Sequence, residues 1–212
     1  MYKIDKKALI LVDLQNDFCD GGLLSVPEAD SIIPLVNRLQ SQFDCIVATL
    51  DWHPQDHMSF AINHDHKQVG DTMTVGGYEQ TLWPAHCVKH SEGAKLHPDL
   101  DVSRISHYVF KGADKTIDSY SAFFDNQHLR STGLEKWLKD KGIGTLYFLG
   151  LATNLCVKYS CMDAIQLGFK TYVIADACKG VELQPGDIQK AYHEMTDVGV
   201  QLITSNQILL DE

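Results

Sequence analysis

The stretch TLYFLGLATNLCVKYSCMDAIQLGFKTYVIAD, residues 145–176, decides the fold because its hydrophobic period changes twice. Residues 145–150 and 170–176 are short apolar runs that predict buried strands. The segment between them has helical spacing from Cys156 to about Gly168. A strand, a helix and a second strand in this order form a βαβ unit, whose two strands lie in parallel. The stretch therefore predicts part of a parallel sheet.

The same alternation continues on both sides of this unit. Further apolar runs predict strands at residues 7–13, 45–51, 107–112 and 200–204. Helices are predicted from about Asp30, from Ser131 or Thr132 to Gly142, and from Pro185 to about Gly199. Alternating strands and helices are typical of a doubly wound α/β fold. We expect a mostly parallel six-stranded sheet with helices on both faces.

The length of 212 residues suits one hydrophobic core, so we predict a single domain over residues 1–212. Residues 51–106, rich in His, Pro and Gly, are too long for an ordinary connection, and we interpret them as a functional insertion.

Composition excludes several classes of protein. The net charge of -10 leaves no basic surplus for a nucleic acid or an anionic membrane surface. The apolar run near the N-terminus is too short for a signal peptide or a membrane span. Six scattered cysteines without a C-x-x-C pair are typical of reduced thiols. We therefore expect a cytoplasmic protein.

Reactive residue types stand at the carboxyl ends of four predicted strands, the edge where open α/β sheets bind ligands. They are Asp13, Asp51, Lys111 and Cys156. A cysteine in the first turn of a helix has a lowered pKa, and the free N–H groups of that turn can hold an oxyanion. Asp13 could take the thiol proton while Lys111 orients Asp13. The alternative is that Cys156 only packs under its helix.

A second set of residues suits a metal ion. Asp51 and His53 project to the same side of an extended segment, and His86 follows in TLWPAHCV. Carboxylate and imidazole ligands suit one divalent ion, with Zn as the first choice and Fe or Mn as alternatives. Spacing alone does not exclude the other histidines of this region, His57, His64, His66, His90 and His97.

These residues lie in motifs that resemble the nicotinamidase/pyrazinamidase family of isochorismatase-like cysteine hydrolases. The motifs cover nearly the whole chain: ALILVDLQNDFCDGG, ATLDWHP, TLWPAHCV, SEGAKLHP, VFKGAD, DSYSAFFDN, GLATNLCVKYS and DAIQLGFKTYVIADAC. The resemblance implies an isochorismatase-like hydrolase domain with a metal-binding insertion at about residues 51–106. It implies hydrolysis of nicotinamide, and of pyrazinamide by analogy, through a thioester intermediate in NAD salvage.

The resemblance also implies a role for particular residues. A catalytic triad maps onto Asp13, Lys111 and Cys156, and an oxyanion hole onto the backbone of Ala152 and Cys156, with a cis peptide at Leu151–Ala152. Metal ligands map onto Asp51, His53 and His86. An aromatic clamp on the pyridine ring maps onto Phe18, Trp83 and Tyr120.

Some relatives use a fourth protein ligand, but here His57 follows His53 by four residues instead of six. We therefore expect His57 or Ser59 to support the site without binding the metal directly.

Three alternatives compete with this interpretation. The chain could be a hydrolase of the same fold that cleaves another amide or a carbamoyl compound, although Asp51, His53 and His86 speak against it. An isochorismatase resembles this chain but lacks a cysteine at the nucleophile position, so Cys156 excludes it. A non-catalytic metal-binding scaffold would not need the set Asp13, Lys111 and Cys156. The sequence leaves open whether the protein is a monomer or a homo-oligomer.

Overall fold

The computed structural model describes residues 6–75 and 77–209. These residues contain eight strands: β1 Lys6–Val12, β2 Ile46–Asp51, β3 Thr72–Val75, β4 Tyr78–Thr81, β5 His107–Lys111, β6 Ile143–Leu151, β7 Lys170–Lys179 and β8 Gln201–Ile203. The same described part of the chain contains five α-helices: α1 Ile33–Leu39, α2 Leu134–Asp140, α3 Lys158–Gln166, α4 Asp187–Asp197 and α5 Asn206–Leu209.

Six strands form one sheet in the order β5-β2-β1-β6-β7-β8. Every neighbouring pair in this sheet is parallel. From β1 the chain moves outward through β2 and β5, then returns to the other side of β1 with β6. This reversal places a topological switch point between β1 and β6, where α/β sheets bind ligands. The predicted six-stranded doubly wound fold is confirmed.

The central strands are buried as their composition predicts. The last five residues of β1 and all six of β2 are buried. Continuous apolar runs of this kind suit strands covered on both faces, since neither face of the pleat contacts water. Pro34 stands in the first turn of α1, as predicted. The N-cap of α2 is Gly133 and not the predicted Ser131 or Thr132, although Thr132 Oγ1 accepts a hydrogen bond from Leu134 N.

The helix after β6 begins three residues earlier than Cys156. A π-helical turn, Thr153–Val157, leads directly into α3, and Cys156 is its fourth residue. Such turns occur often at functional sites. Before this turn, Gly150 pairs with Val12 and has a φ of +117°. A Cβ at Gly150 would overlap the Val12 carbonyl oxygen, so glycine allows β1 and β6 to approach closely beside the switch point.

The predicted insertion contains structure that the sequence did not reveal. Strands β3 and β4 form a separate antiparallel hairpin. No residue of β3 is buried, and Gln80 is the one buried residue of β4, so neither strand is an apolar run of the kind that predicts a buried strand. Among the described residues, no helix combines the length and the apolar character that crossing a bilayer requires.

Candidate active site

The four strand ends named above meet at one buried point. Asp13 follows β1, Asp51 ends β2, Lys111 ends β5, and Cys156 lies in the turn after β6. Nζ of Lys111 lies 2.8 Å from Asp13 Oδ2 and 2.5 Å from Asp51 Oδ1. It also lies 3.4 Å from Cys156 Sγ. The fold therefore brings a thiol, two carboxylates and an ammonium into direct contact.

This cluster is held together by charge in a site that is almost fully buried. Burial acts to lower the pKa of Lys111, but Asp13 and Asp51 outweigh burial and hold that pKa well above its usual range. Burial likewise acts to raise the pKa of Asp51, yet Lys111 and His53 hold it well below the usual value. Asp13 differs, because burial raises its pKa against the opposing effect of Lys111. Asp13 is thus the carboxylate better suited to accept a proton.

The thiol itself departs from the sequence-based expectation. A position in the first turn of a helix predicts a lowered pKa for Cys156. In the structure, burial raises that pKa well above its usual value, and Lys111 opposes the rise. Cys156 is 6% exposed, so loss of hydration outweighs the helix dipole. A thiol of this kind needs a base beside it, and one carboxylate oxygen of Asp13 lies within 4.8 Å of Sγ.

The backbone before the thiol has the form that the resemblance implies. The Leu151–Ala152 peptide bond is cis. The carbonyl oxygen of Ala152 accepts hydrogen bonds from Leu155 N at 3.0 Å and Val157 N at 3.2 Å. These bonds tie Ala152 to the turn that carries Cys156. The assignment of the Ala152 and Cys156 amides to an oxyanion hole stays a prediction.

The predicted metal ligands lie next to this cluster. Oδ2 of Asp51 is 3.5 Å from His53 Nε2 and 3.7 Å from His86 Nε2. The Nδ1 atoms of both rings contact backbone carbonyl oxygens, of Gly112 at 2.9 Å and of Pro84 at 2.8 Å. A carbonyl oxygen only accepts, so each Nδ1 donates to it, and each Nε2 is the ring nitrogen that faces Asp51.

This donor set fits a metal ion. Both Nε2 atoms face Asp51 Oδ2 at separations beyond the hydrogen-bond range of about 2.7–3.2 Å. Ligands about 2.0–2.2 Å from a tetrahedral ion stand roughly 3.3–3.6 Å apart, which is close to these two separations. His53 Nε2 is also buried and has no hydrogen-bond partner among the described residues. Asp51 joins this set to the thiol cluster, since its other carboxylate oxygen binds Lys111.

His57 lies close to the metal set but is already engaged. Its ring centroid lies 4.3 Å from that of His53, with the two rings tilted by 43°. Its Nδ1 contacts Ser59 Oγ at 2.7 Å and accepts from Ser59 N at 3.3 Å, while Nε2 reaches Ile117 O at 3.3 Å. Burial and then His53 lower the pKa of His57 to about 4, so the ring is neutral near pH 7. These contacts support the expectation that His57 and Ser59 position the site without direct metal binding.

The three predicted substrate-binding aromatics surround the same region. The Phe18 ring lies 5.4 Å from the His86 ring. Trp83 Nε1 donates a hydrogen bond of 3.2 Å to Tyr120 Oη, which joins two of the aromatics into one wall. Burial, with Asp118 adding to it, raises the pKa of Tyr120 well above its usual value, so the hydroxyl remains neutral.

Three residues of this site were missed by sequence reasoning. Phe60 is fully buried, and its ring lies 5.4 Å from both His53 and His86. Thr49 and Gln15 are fully buried and bind Asp13 and Asp51, respectively. A signal for the last two existed, because each is a polar residue in or directly after an otherwise apolar strand. Phe60 gave no signal of its own.

The family model of the isochorismatase domain matches residues 7–207. A nicotinamidase of Escherichia coli strain K12 is 48% identical over 202 residues, covering 93% of this chain and 94% of that protein.

Two solved structures are similar along nearly their whole length. The nicotinamidase/pyrazinamidase of Acinetobacter baumanii has a TM-score of 0.94 at 44% identity, covering 97% of this chain and 99% of that one. The pyrazinamidase of Pyrococcus horikoshii in complex with zinc has a TM-score of 0.76 at 35% identity, covering 94% and 99%.

Proposed function

The chain belongs to the isochorismatase family, and we propose that it is a nicotinamidase that hydrolyses nicotinamide to nicotinic acid and ammonia. The observation that carries this proposal is the position of Lys111, which contacts Asp13, Asp51 and Cys156 at once. A nucleophile, its base and a metal ligand thus share one buried site. The similarity to the E. coli nicotinamidase supports the choice of substrate.

The substrate ring would lie among aromatic side chains. Phe18, Trp83 and Tyr120 offer apolar and stacking contact to a pyridine ring. A divalent ion held by Asp51, His53 and His86 would supply a Lewis-acidic position for the ring nitrogen. The carboxamide would then lie toward Cys156, because Asp51 joins the ion site to the thiol cluster through Lys111.

The residues present account for both halves of the reaction. Asp13 takes the proton of Cys156, and the thiolate attacks the carboxamide carbon. The Ala152 and Cys156 amides would donate to the resulting oxyanion, a contribution of about 10²–10³ in rate for each donor. The C–N bond breaks as Asp13 returns its proton to the leaving ammonia. Asp13 then removes a proton from the water that attacks the thioester. The C–S bond breaks, Asp13 returns this proton to the sulfur, and nicotinic acid and the thiol are released.

Lys111 has a positioning task in this scheme. It keeps Asp13 oriented and ionised before the reaction, and it counters the charge of the thiolate at 3.4 Å. Because Lys111 also binds Asp51, it fixes the distance between the ion site and the nucleophile.

The finer features are also proposals. We propose one domain over residues 1–212 with a metal-binding insertion at about 51–106; the two ends of that span lie outside the described residues. Zinc is the proposed resident ion, supported by the zinc complex of the P. horikoshii pyrazinamidase and by the imidazole-rich donor set. We propose a cytoplasmic enzyme of NAD salvage, a monomer or homo-oligomer, that binds neither nucleic acid nor membranes and accepts pyrazinamide.

The test is ammonia release from nicotinamide by the purified protein, before and after chelation and after zinc is restored. We expect release from nicotinamide, loss on chelation and recovery with zinc. Benzamide is the matched control, since it keeps the carboxamide and lacks the ring nitrogen, and it should react far more slowly.

Other outcomes would favour the alternatives. Release of ammonia from a carbamoyl compound but not from nicotinamide would identify a different hydrolase of this fold. Zinc binding without turnover of any amide would identify a metal-binding scaffold.

A further inference from the structure

Each acidic residue of the site is held by a buried, uncharged side chain: Asp13 through its carboxylate, and Asp51 through its backbone N–H and carbonyl groups. Asp13 follows β1 and is bound by Thr49 of β2. Asp51 ends β2 and is bound by Gln15, which follows β1. Both pairs are separated by 36 residues in the sequence.

The Thr49–Asp13 pair occupies one oxygen of the base. Thr49 Oγ1 donates to Asp13 Oδ1 at 2.5 Å, and the same oxygen accepts from Asp13 N at 3.2 Å. A hydroxyl has one proton, so its donation to Oδ1 is fixed by these two bonds. Oδ2, beside Lys111 at 2.8 Å, remains as the oxygen that can take the thiol proton.

The Gln15 side chain supplies hydrogen bonds to Asp51 beyond the point where the β1–β2 ladder ends. The β1–β2 ladder ends at Val12 and Thr49, because Asp13 has a φ of 50° and turns the chain away. The Gln15 amide continues the ladder: Oε1 accepts from Asp51 N at 2.8 Å, and Nε2 donates to Asp51 O at 2.9 Å. Nε2 also donates to Ala94 O at 2.9 Å. Both polar atoms of the Gln15 amide are therefore hydrogen-bonded to backbone groups beside the site.

These contacts matter because Lys111 attracts both carboxylates at once. An ammonium between two acids does not by itself decide which oxygen of each acid it contacts. The uncharged partners limit that freedom, since Thr49 occupies Oδ1 of Asp13, and Gln15 holds the backbone from which the Asp51 carboxylate extends. Groups that orient a base or a metal ligand commonly change activity or metal affinity by about 10–100-fold when removed.

We propose that Thr49 and Gln15 are positioning residues with separate tasks: Thr49 orients the base Asp13, and Gln15 orients the metal ligand Asp51. This inference rests on the proposed function. It assigns a loss of turnover to one residue and a loss of metal affinity to the other. A substitution of Thr49 in β2 should therefore lower turnover, whereas a substitution of Gln15, after β1, should lower metal affinity.

The first experiment replaces the Thr49 hydroxyl. Thr49→Val keeps the shape and removes the hydroxyl, and we expect kcat for nicotinamide to fall about 10–100-fold with little change in zinc content. Thr49→Ser restores the hydroxyl and should recover most of kcat. Thr171→Val is the matched control, because Thr171 is 1% exposed in β7 and its hydroxyl donates to Phe169 O at 3.1 Å, away from the site.

The second experiment replaces the Gln15 amide. Gln15→Met keeps the length of the side chain, and we expect the affinity for Zn²⁺ alone, measured against a competing chelator, to fall about 10–100-fold. Excess zinc should restore kcat. Gln40→Met is the matched control: Gln40 is fully buried, and its amide donates to Asp101 O at 3.0 Å outside the site.

The outcomes separate this inference from a general loss of stability. If Thr49→Val and Thr171→Val lose kcat equally, or if Gln15→Met binds zinc as tightly as Gln40→Met, the inference is wrong. A wild-type protein without nicotinamide turnover would overturn the proposed function instead. In that case, zinc affinity still tests Gln15, and the rate of Cys156 alkylation by iodoacetamide, read by mass spectrometry, tests Thr49.

Discussion

The two ends of the parallel sheet differ in how their lysines are placed: exposed over aromatic rings at one end and buried between carboxylates at the other. At the amino end, Lys7 lies 4.9 Å from the Phe43 ring, Lys141 lies 4.7 Å from the Trp137 ring, and Lys170 lies 5.1 Å from the Tyr172 ring. These three lysines are exposed. At the carboxyl end, Lys111 is 2% exposed and contacts two buried carboxylates.

The difference shows how burial increases the energetic contribution of a lysine. An exposed lysine over an aromatic ring contributes about 0.5–1 kcal/mol, and water can replace the contact. Removing a buried lysine between two acids is strongly destabilising, because each acid would then remain charged and unpaired. Charges at the carboxyl end therefore act as one buried unit, whereas the three lysines at the amino end are exposed to solvent. Four predictions test this difference.

The largest effect should come from the thiol. Cys156→Ala at the carboxyl end should lower kcat for nicotinamide by about 10⁴-fold or more, because no other group forms the thioester. Cys45→Ala, just before β2 at the amino end, should leave kcat within about twofold. Ammonia release measures both. Substantial turnover by the Cys156 variant would remove the thiol from the mechanism.

The next effect concerns stability. Lys111→Met should lower the free energy of unfolding by about 3–5 kcal/mol, since it leaves Asp13 and Asp51 buried without their cation. Lys7→Met should change it by less than about 0.5 kcal/mol. Urea unfolding followed by circular dichroism compares the two variants. Equal losses at both ends would contradict the distinction between them.

A smaller effect is expected on metal binding. His86→Ala should weaken zinc binding about 100-fold and raise KM more than it lowers kcat, if the ion mainly positions the ring. His107→Ala, at the amino end of β5, should keep the wild-type zinc content. Zinc analysis after dialysis measures both. An unchanged metal content in the His86 variant would refute the proposed ligand set.

The smallest effect is a pH dependence at the amino end. Burial, followed by Lys141, lowers the pKa of His107. The folded state then binds fewer protons than the unfolded state, whose histidine pKa is about 6.5. This contribution to stability is present above pH 6.5 and is lost as the pH falls below that value. His107→Gln should slightly reduce the loss of stability between pH 7 and pH 5.

The carboxyl end should respond in a different range. The lowered pKa of Asp51 gives a contribution that is present above its ordinary value of 3.8 and lost only as the pH falls below it. Urea unfolding at several pH values separates the two ranges. A His107→Gln variant with a steeper loss than wild type between pH 7 and pH 5 would contradict the sign of the His107 effect.

Much of the site was predictable because strand ends are local features. The apolar runs located Asp13, Asp51, Lys111 and Cys156 at one edge of the sheet, and the structure brings all four together. The thiol pKa was predicted in the wrong direction. The helix dipole at Cys156 follows from position in the chain, whereas the degree of burial depends on residues that pack over the thiol from elsewhere.

The sequence by itself determined the order of strands and helices, the parallel sheet and the residue types at its carboxyl edge, because hydrophobic period and caps act between near neighbours. Only the tertiary structure decided which oxygen of Asp13 faces Lys111, that Gln15 completes the ladder beside Asp51, and that Phe60 packs against the histidines. Those contacts join residues far apart in the chain. Hydrogen bonds and desolvation depend on distances of a few ångströms, and these are set only when the separate strands are assembled.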